Sequence, residues 1–139
     1  MNYIGNEIRV DGFYYYQFED GFIETFFLFR NGVYYDYGSC QCPDLEAVEN
    51  HMMNEFTIEN TPKVQYSWGV FRVENNNVEI ERWLTGSGGA YPTKLSKGEI
   101  INETTMVIKG IPVSGEGTLD TFRFREFSPK PDSTNVFIK

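Results

Sequence analysis

The chain offers few groups able to do covalent chemistry. His51 is its one histidine, so a Ser-His-Asp triad, a Cys-His pair or a histidine-ligated metal would each depend on that single ring. It falls on the polar side of a short amphipathic segment, the usual setting of an exposed surface histidine. The thiols form Cys40-Gln41-Cys42, with one residue between them, whereas redox and zinc motifs space their sulfurs by two or more. The pair reads as a local disulfide or two free thiols at a strand end, and no metal site is expected. Thr85-Gly86-Ser87-Gly88-Gly89-Ala90 has the glycine content of a phosphate loop but lacks the Gly-Lys-Ser/Thr ending and the following helix. It reads as a loop joining two strands. Glu79 and Glu81 share a strand face and imitate a carboxylate pair, yet that face is solvated and Arg72 neighbours them. Asn102-Glu103-Thr104 has the form of a glycosylation acceptor and reads as a turn. None of these groups points to catalysis, so no catalytic residue and no cofactor is expected.

Arg82 is different, because the strand that carries it points it inward. Residues 63–74 and 78–84 read as two strands turning through Asn75-Asn76-Asn77. Pairing Val73 with Val78 places Phe71 opposite Ile80 and Gly69 opposite Arg82 on one face, and Arg72 opposite Glu79 and Trp68 opposite Trp83 on the other. The face with Phe71, Val73, Val78, Ile80 and Leu84 is apolar and therefore inner. An inward guanidinium needs an acceptor. Glu24 or Glu126 could pair with it and fix the interior; alternatively it anchors a ligand carboxylate or another acceptor by paired hydrogen bonds.

The elements that position these residues are mostly strands. Twelve aromatic residues lie between Phe13 and Tyr37, a density typical of sheet, and Glu19-Asp20-Gly21 and Asn31-Gly32 divide the run into a three-stranded antiparallel meander. At Pro43 the period changes. Residues 44–56 read as one short helix, capped by Asp44, with Glu46 and Glu49 near its positive end and Leu45, Val48, Met52 and Phe56 on one face. Further strands are expected at 95–101, 105–109 and 119–127, around the turn at Asn102-Glu103-Thr104 and a loop at 110–117. Eight sequential antiparallel strands abolish exposed edges by closing into an up-and-down barrel, and their short connections favour this over a Greek-key sandwich. The fold class is thus all-β, an eight-stranded antiparallel barrel with one helix, in a single domain spanning 1–139 with an extended tail at 128–139.

Four features carry a family resemblance. Asp11-Gly12-Phe13-Tyr14 opens the first strand; a helix-bearing insert follows the early strands; Trp68-Gly69-Val70-Phe71 opens a central hairpin; and Phe122-Arg123-Phe124-Arg125-Glu126-Phe127 precedes a tail beginning Ser128-Pro129-Lys130-Pro131-Asp132. Together they resemble the lipocalin-like proteins of the calycin superfamily, in particular small bacterial members of uncharacterised function. The chain departs from that pattern in two places. Tyr14 stands where those proteins carry the tryptophan of Gly-x-Trp, and the helix falls between the third and fourth strands instead of after the barrel. The resemblance implies binding of small apolar molecules in the barrel mouth. It also implies an exported, possible lipid-anchored protein if a signal once preceded Tyr3; otherwise the chain is cytoplasmic.

Charge and hydropathy bound the partners. A net charge of -8 with dispersed Lys and Arg disfavours nucleic acid, and no apolar run reaches membrane-helix length. The expected function is non-enzymatic binding of a small hydrophobic or amphipathic molecule in the barrel cavity, with Tyr14, Tyr16, Phe26, Tyr35, Tyr37, Phe71, Ile80 and Arg82 as ligand-binding residues. Placing Tyr14 inward by analogy with the lipocalin tryptophan turns Tyr16, Glu24, Phe26, Leu28, Tyr35 and Tyr37 inward with it and leaves Phe13, Ile23, Phe27 and Phe29 for the helix. The alternative is a filled barrel that meets a cell-surface protein or glycan through outer rings such as Trp68, Trp83 and Tyr91.

Overall fold

The computed structural model describes residues 5–57 (55–57 by backbone alone), 68–83, 93–109 and 119–127. Its strands are β1 (Gly12–Gln17), β2 (Ile23–Leu28), β3 (Val33–Cys40), β4 (Trp68–Glu74), β5 (Asn77–Trp83), β6 (Thr93–Asn102), β7 (Thr105–Lys109) and β8 (Leu119–Glu126), with helix α1 (Leu45–Thr57) between β3 and β4. Each strand pairs antiparallel with the next, and β8 returns to β1 to close the barrel. Closure removes the exposed edges that eight strands would otherwise present. The architecture is the expected up-and-down barrel, compatible with a lipocalin-like fold. No helix of the described residues is long and apolar enough to cross a membrane.

Local chemistry accounts for the turns and the cap. Asn75 and Asn76 both adopt positive φ, as a two-residue hairpin loop demands, and they set the β4–β5 register that pairs Gly69 with Arg82, Phe71 with Ile80 and Val73 with Val78. That register is the expected one. Asn31 accepts the Val33 N–H through its side chain while Gly32 takes φ 83°. Asp44 Oδ1 accepts the Ala47 N–H at 2.9 Å, which satisfies one of the free amides at the start of α1. Leu84, the loop at 85–90, Tyr91, the loop at 110–117, the tail and the side chain of Phe56 lie outside the described residues.

Strand alternation splits the apolar residues into two cores. Inside the barrel are Tyr14, Phe26, Leu28, Tyr34, Phe71, Val78, Ile80, Ile100, Met106, Ile108 and Phe122, joined by Ile8 from the segment before β1. Outside it, Phe13, Ile23, Phe27, Phe29, Val33, Tyr35 and Trp68 pack with Val48 and Met52 of α1. The helix thus covers the second apolar face of β1 to β3. Arg125 of β8 reaches Glu49 of α1 at 2.6 Å and ties the helix to the strand beside β1.

The inward set on β3 corrects the sequence expectation. Tyr35 and Tyr37 face the helix, while Tyr34 and Asp36 face the interior. A β-bulge is the cause of the remaining irregularity: Thr25 pairs with Gly38 but the next residue, Phe26, pairs with Asp36, so Tyr37 is the extra residue. Gly38, at φ 101°, supplies the left-handed backbone there. Strict alternation from Val33 to the strand end misses this shift. Trp68 is also corrected: it is fully buried against Tyr35, ring centroids 4.5 Å apart, and so is removed from any outer aromatic surface.

Candidate functional site

The two ends of the barrel differ. At one end, tight turns join β2 to β3, β4 to β5 and β6 to β7, and the segment before β1 crosses beneath them. Arg9 donates its N–H to the Glu103 carbonyl at 2.9 Å, the Tyr14 hydroxyl donates to the Arg9 carbonyl at 2.8 Å, and the Arg9 guanidinium lies 4.7 Å from the centroid of Phe124. Ile8 is thereby held among the interior residues. Above it the rings are packed: Phe26 contacts Tyr14, Tyr34 and Phe122 at centroid separations of 5.6, 5.3 and 5.0 Å. This half is closed and filled.

The other end carries the longer connections and the polar interior. Arg82 of β5 is buried and pairs with Asp36 of β3 at 3.2 Å; Asp36 also accepts the Gly38 N–H at 2.9 Å. Glu24 of β2 lies close enough to feel Asp36, Arg82 and Asp120, and Asp120 of β8 is buried beside Tyr16 of β1. Desolvation, then the charge of Asp36, push the Glu24 carboxyl up to about 7, with Arg82 opposing. Burial likewise raises Asp36 despite Arg82 and the Gly38 N–H. Burial first, and Asp120 second, raise the Tyr16 phenol. Tyr34 is fully buried among these charges, its phenol well above the ordinary value because of burial and then Asp36.

A cavity of about 530 Å³ opens onto this polar layer, lined by Phe18, Asp20, Phe22, Glu24, Asp36, Gly38 and Ser39. Its volume lies within the range of small-molecule sites, roughly 300–1,000 Å³. Phe18 stands edge-on to Tyr16, centroids 4.9 Å apart, so one ring wall runs from the interior to the rim. The chemistry available is a short apolar wall beside several carboxylates.

The eight expected ligand-binding residues separate into three groups. Tyr16 and Arg82 belong to the polar layer at the mouth. Tyr14, Phe26, Phe71 and Ile80 point inward as expected but are packed into the core. Tyr35 and Tyr37 lie on the helix side, where the Tyr37 hydroxyl and His51 Nδ1 share a hydrogen bond of 2.8 Å. Sequence reasoning missed Asp36, Asp120, Tyr34, Phe18 and Phe22 as site residues, and it cast Glu24 only as a partner for Arg82. The available signal was a lone acid inside an aromatic strand, Asp36 between Tyr35 and Tyr37. The Arg82 partner is Asp36, whereas Glu126 is exposed at the opposite end of the barrel.

The remaining candidate groups are structural. Cys40 and Cys42 are disulfide-bonded with their Cα atoms 5.3 Å apart. Arg72 binds Glu79 on the outer face and lowers its carboxyl by that hydrogen bond. Among the described residues, no three His, Cys, Asp or Glu side chains converge as metal ligands. Comparison with protein-family models, with curated proteins and with solved structures returned no match.

Proposed function

We propose that the barrel is a non-enzymatic carrier or receptor for a small amphipathic molecule, which it binds at the polar mouth. The observation that carries this reading is the asymmetry of the interior: a ring-packed, strapped lower half below a cavity of about 530 Å³ lined by both phenylalanines and carboxylates. An apolar body against Phe18 and Phe22, with a polar group at Glu24 and Asp36, matches that lining. Deep insertion among Tyr14, Phe26 and Phe122 is disfavoured, since entry there would unpack rings already in contact. The same asymmetry, with the eight-stranded order and Asp11-Gly12-Phe13-Tyr14 at the start of β1, supports membership of the lipocalin-like group.

Native mass spectrometry of the protein as purified, together with fluorescence titration of neutral N-phenyl-1-naphthylamine, tests the reading. A co-purified small molecule or saturable probe binding that weakens in the Phe18→Ala/Phe22→Ala variant is expected. A folded protein with no adduct and no saturable binding overturns it, as does binding that is indifferent to both phenylalanines.

A further inference from the structure

Past Trp68 and Trp83, which pack with the outer core beneath α1, the outer wall of the barrel changes character. Strand pairing sets its side chains in rows. Val70 of β4, Glu81 of β5 and Leu95 of β6 stand side by side in one. Arg72, Glu79, Lys97 and, on β7, Lys109 form the next, nearer the closed end. Val70 and Leu95 are exposed, and the two rows line a groove of about 320 Å³ that Gly32 and Phe71 complete. Two large aliphatic side chains held against water in one groove are better covered than hydrated.

The charges of the two rows differ in sign. The row of Val70 and Leu95 carries one carboxylate, Glu81, and no cation, whereas the row beside it carries three cations to one carboxylate. Glu79 there is already bound by Arg72, and Lys97 lies directly opposite Lys109, a like-charge pair that an added carboxylate would relieve. We infer that this wall docks a second copy of the chain as a two-fold dimer: Leu95 meets its own counterpart near the axis, and Glu81 of each copy meets Lys97 of the other.

A two-fold operation exchanges the patches that meet, so a surface closes on itself when adjacent parts of it carry opposite charge around an apolar centre. This wall does so. A basic partner would be drawn to Glu81 but repelled by Lys97 and Lys109, and an acidic partner the reverse; a second copy presents both signs in the inverted order. Glu74 and Glu99 lie one row further toward the closed end, away from Leu95. The net charge of -8 on each copy opposes association at long range, and two convex walls touch over a limited area, so the dimer is a weak one. The mouth is lined from β1 to β3 and their turns, and docking through β4 to β6 leaves it open in both copies.

Analytical ultracentrifugation of the full chain from about 1 µM to about 1 mM, the span in which small interfaces associate, should show a concentration-dependent dimer. Leu95→Asp, Glu81→Lys and Lys97→Glu should each raise its dissociation constant about tenfold or more. Glu81→Lys is the sharper case, because it lessens the net negative charge and would favour association if only long-range repulsion mattered. Mixing the Glu81→Lys and Lys97→Glu proteins restores an opposite-charge contact at both symmetry-related positions, so the mixture should associate more tightly than either variant alone. All three side chains are exposed, and unchanged near-UV circular dichroism checks that each variant is folded. A protein that stays monomeric over the whole range overturns the dimer. A dimer indifferent to Leu95→Asp, or a mixture no tighter than its separate components, overturns its assignment to this wall.

Discussion

Replacing Glu24 by glutamine should stabilise the protein in alkaline solution and leave its stability in acid unchanged. Moving this carboxyl from an ordinary value of 4.5 to about 7, at about 1.4 kcal/mol per pH unit, makes its charged form about 3 kcal/mol less favourable in the barrel than in the unfolded chain. Because the folded value is raised, the native state holds the proton more tightly. The favourable contribution of Glu24 is therefore fully present below about pH 4.5 and is lost as pH rises through about 7. Glutamine keeps the shape and is never ionised. Urea unfolding of the ligand-free protein at about pH 4 should give nearly equal stability for the two proteins, whereas at about pH 8.5 the variant should lead by as much as ~3 kcal/mol. For a domain of this size that gain corresponds to roughly 10 °C in Tm. A variant that is no more stable at the higher pH, or that is destabilised equally at both, refutes the placement of Glu24 in a desolvated, acid-rich layer.

Three other substitutions probe the scaffold around that layer. Arg82→Met leaves the Asp36 carboxylate without its guanidinium and should cost about 3–5 kcal/mol in denaturant unfolding, the range for removing one partner of a buried pair; adding Asp36→Asn should recover part of the loss, and no recovery would show that Arg82 acts through packing. Gly69→Ala should destabilise by roughly 1–3 kcal/mol, since a β-carbon there would collide with the Glu81 backbone carbonyl and crowd Arg82; an unaffected Tm would refute the close β4–β5 approach. Met52→Ala empties a fully buried position under α1 and should cost about 2–5 kcal/mol, while probe binding at the mouth persists. Loss of that binding in a folded Met52→Ala variant would show that the outer core and the mouth are coupled.

The barrel was legible because its strands obey period-two patterning and its turns carry their own chemistry. Asn31-Gly32 and Asn75-Asn76 fix hairpin geometry locally, and pairing Val73 with Val78 was enough to predict Gly69 opposite Arg82. The inward set on β1 and β2 followed from one anchored residue, Tyr14, because alternation propagates without interruption as far as Leu28. β3 resisted the same treatment. Its residues are aromatic on both faces, so hydrophobicity could not choose a parity, and the extra residue at Tyr37 shifts the phase again beyond Asp36. An error of one position there exchanged Tyr34 and Asp36 for Tyr35 and Tyr37, and with Asp36 the partner of Arg82 disappeared from view.

The mouth was harder to read for a different reason. Its charged residues are separated in sequence, Glu24 from β2, Asp36 from β3, Arg82 from β5 and Asp120 from β8, and no local pattern links them; barrel closure alone brings them into one layer. Each also breaks the apolar alternation of the inner face that carries it, which a folding argument treats as a defect. Burying several carboxylates around a guanidinium is costly, and a packed aliphatic layer would hold the barrel at least as well. That cost is confined to the end where the cavity opens, while the opposite end is sealed by Ile8, Tyr14 and the Arg9 strap. Among the described residues, interior polarity therefore follows access to the mouth, the distribution that the proposed ligand site requires.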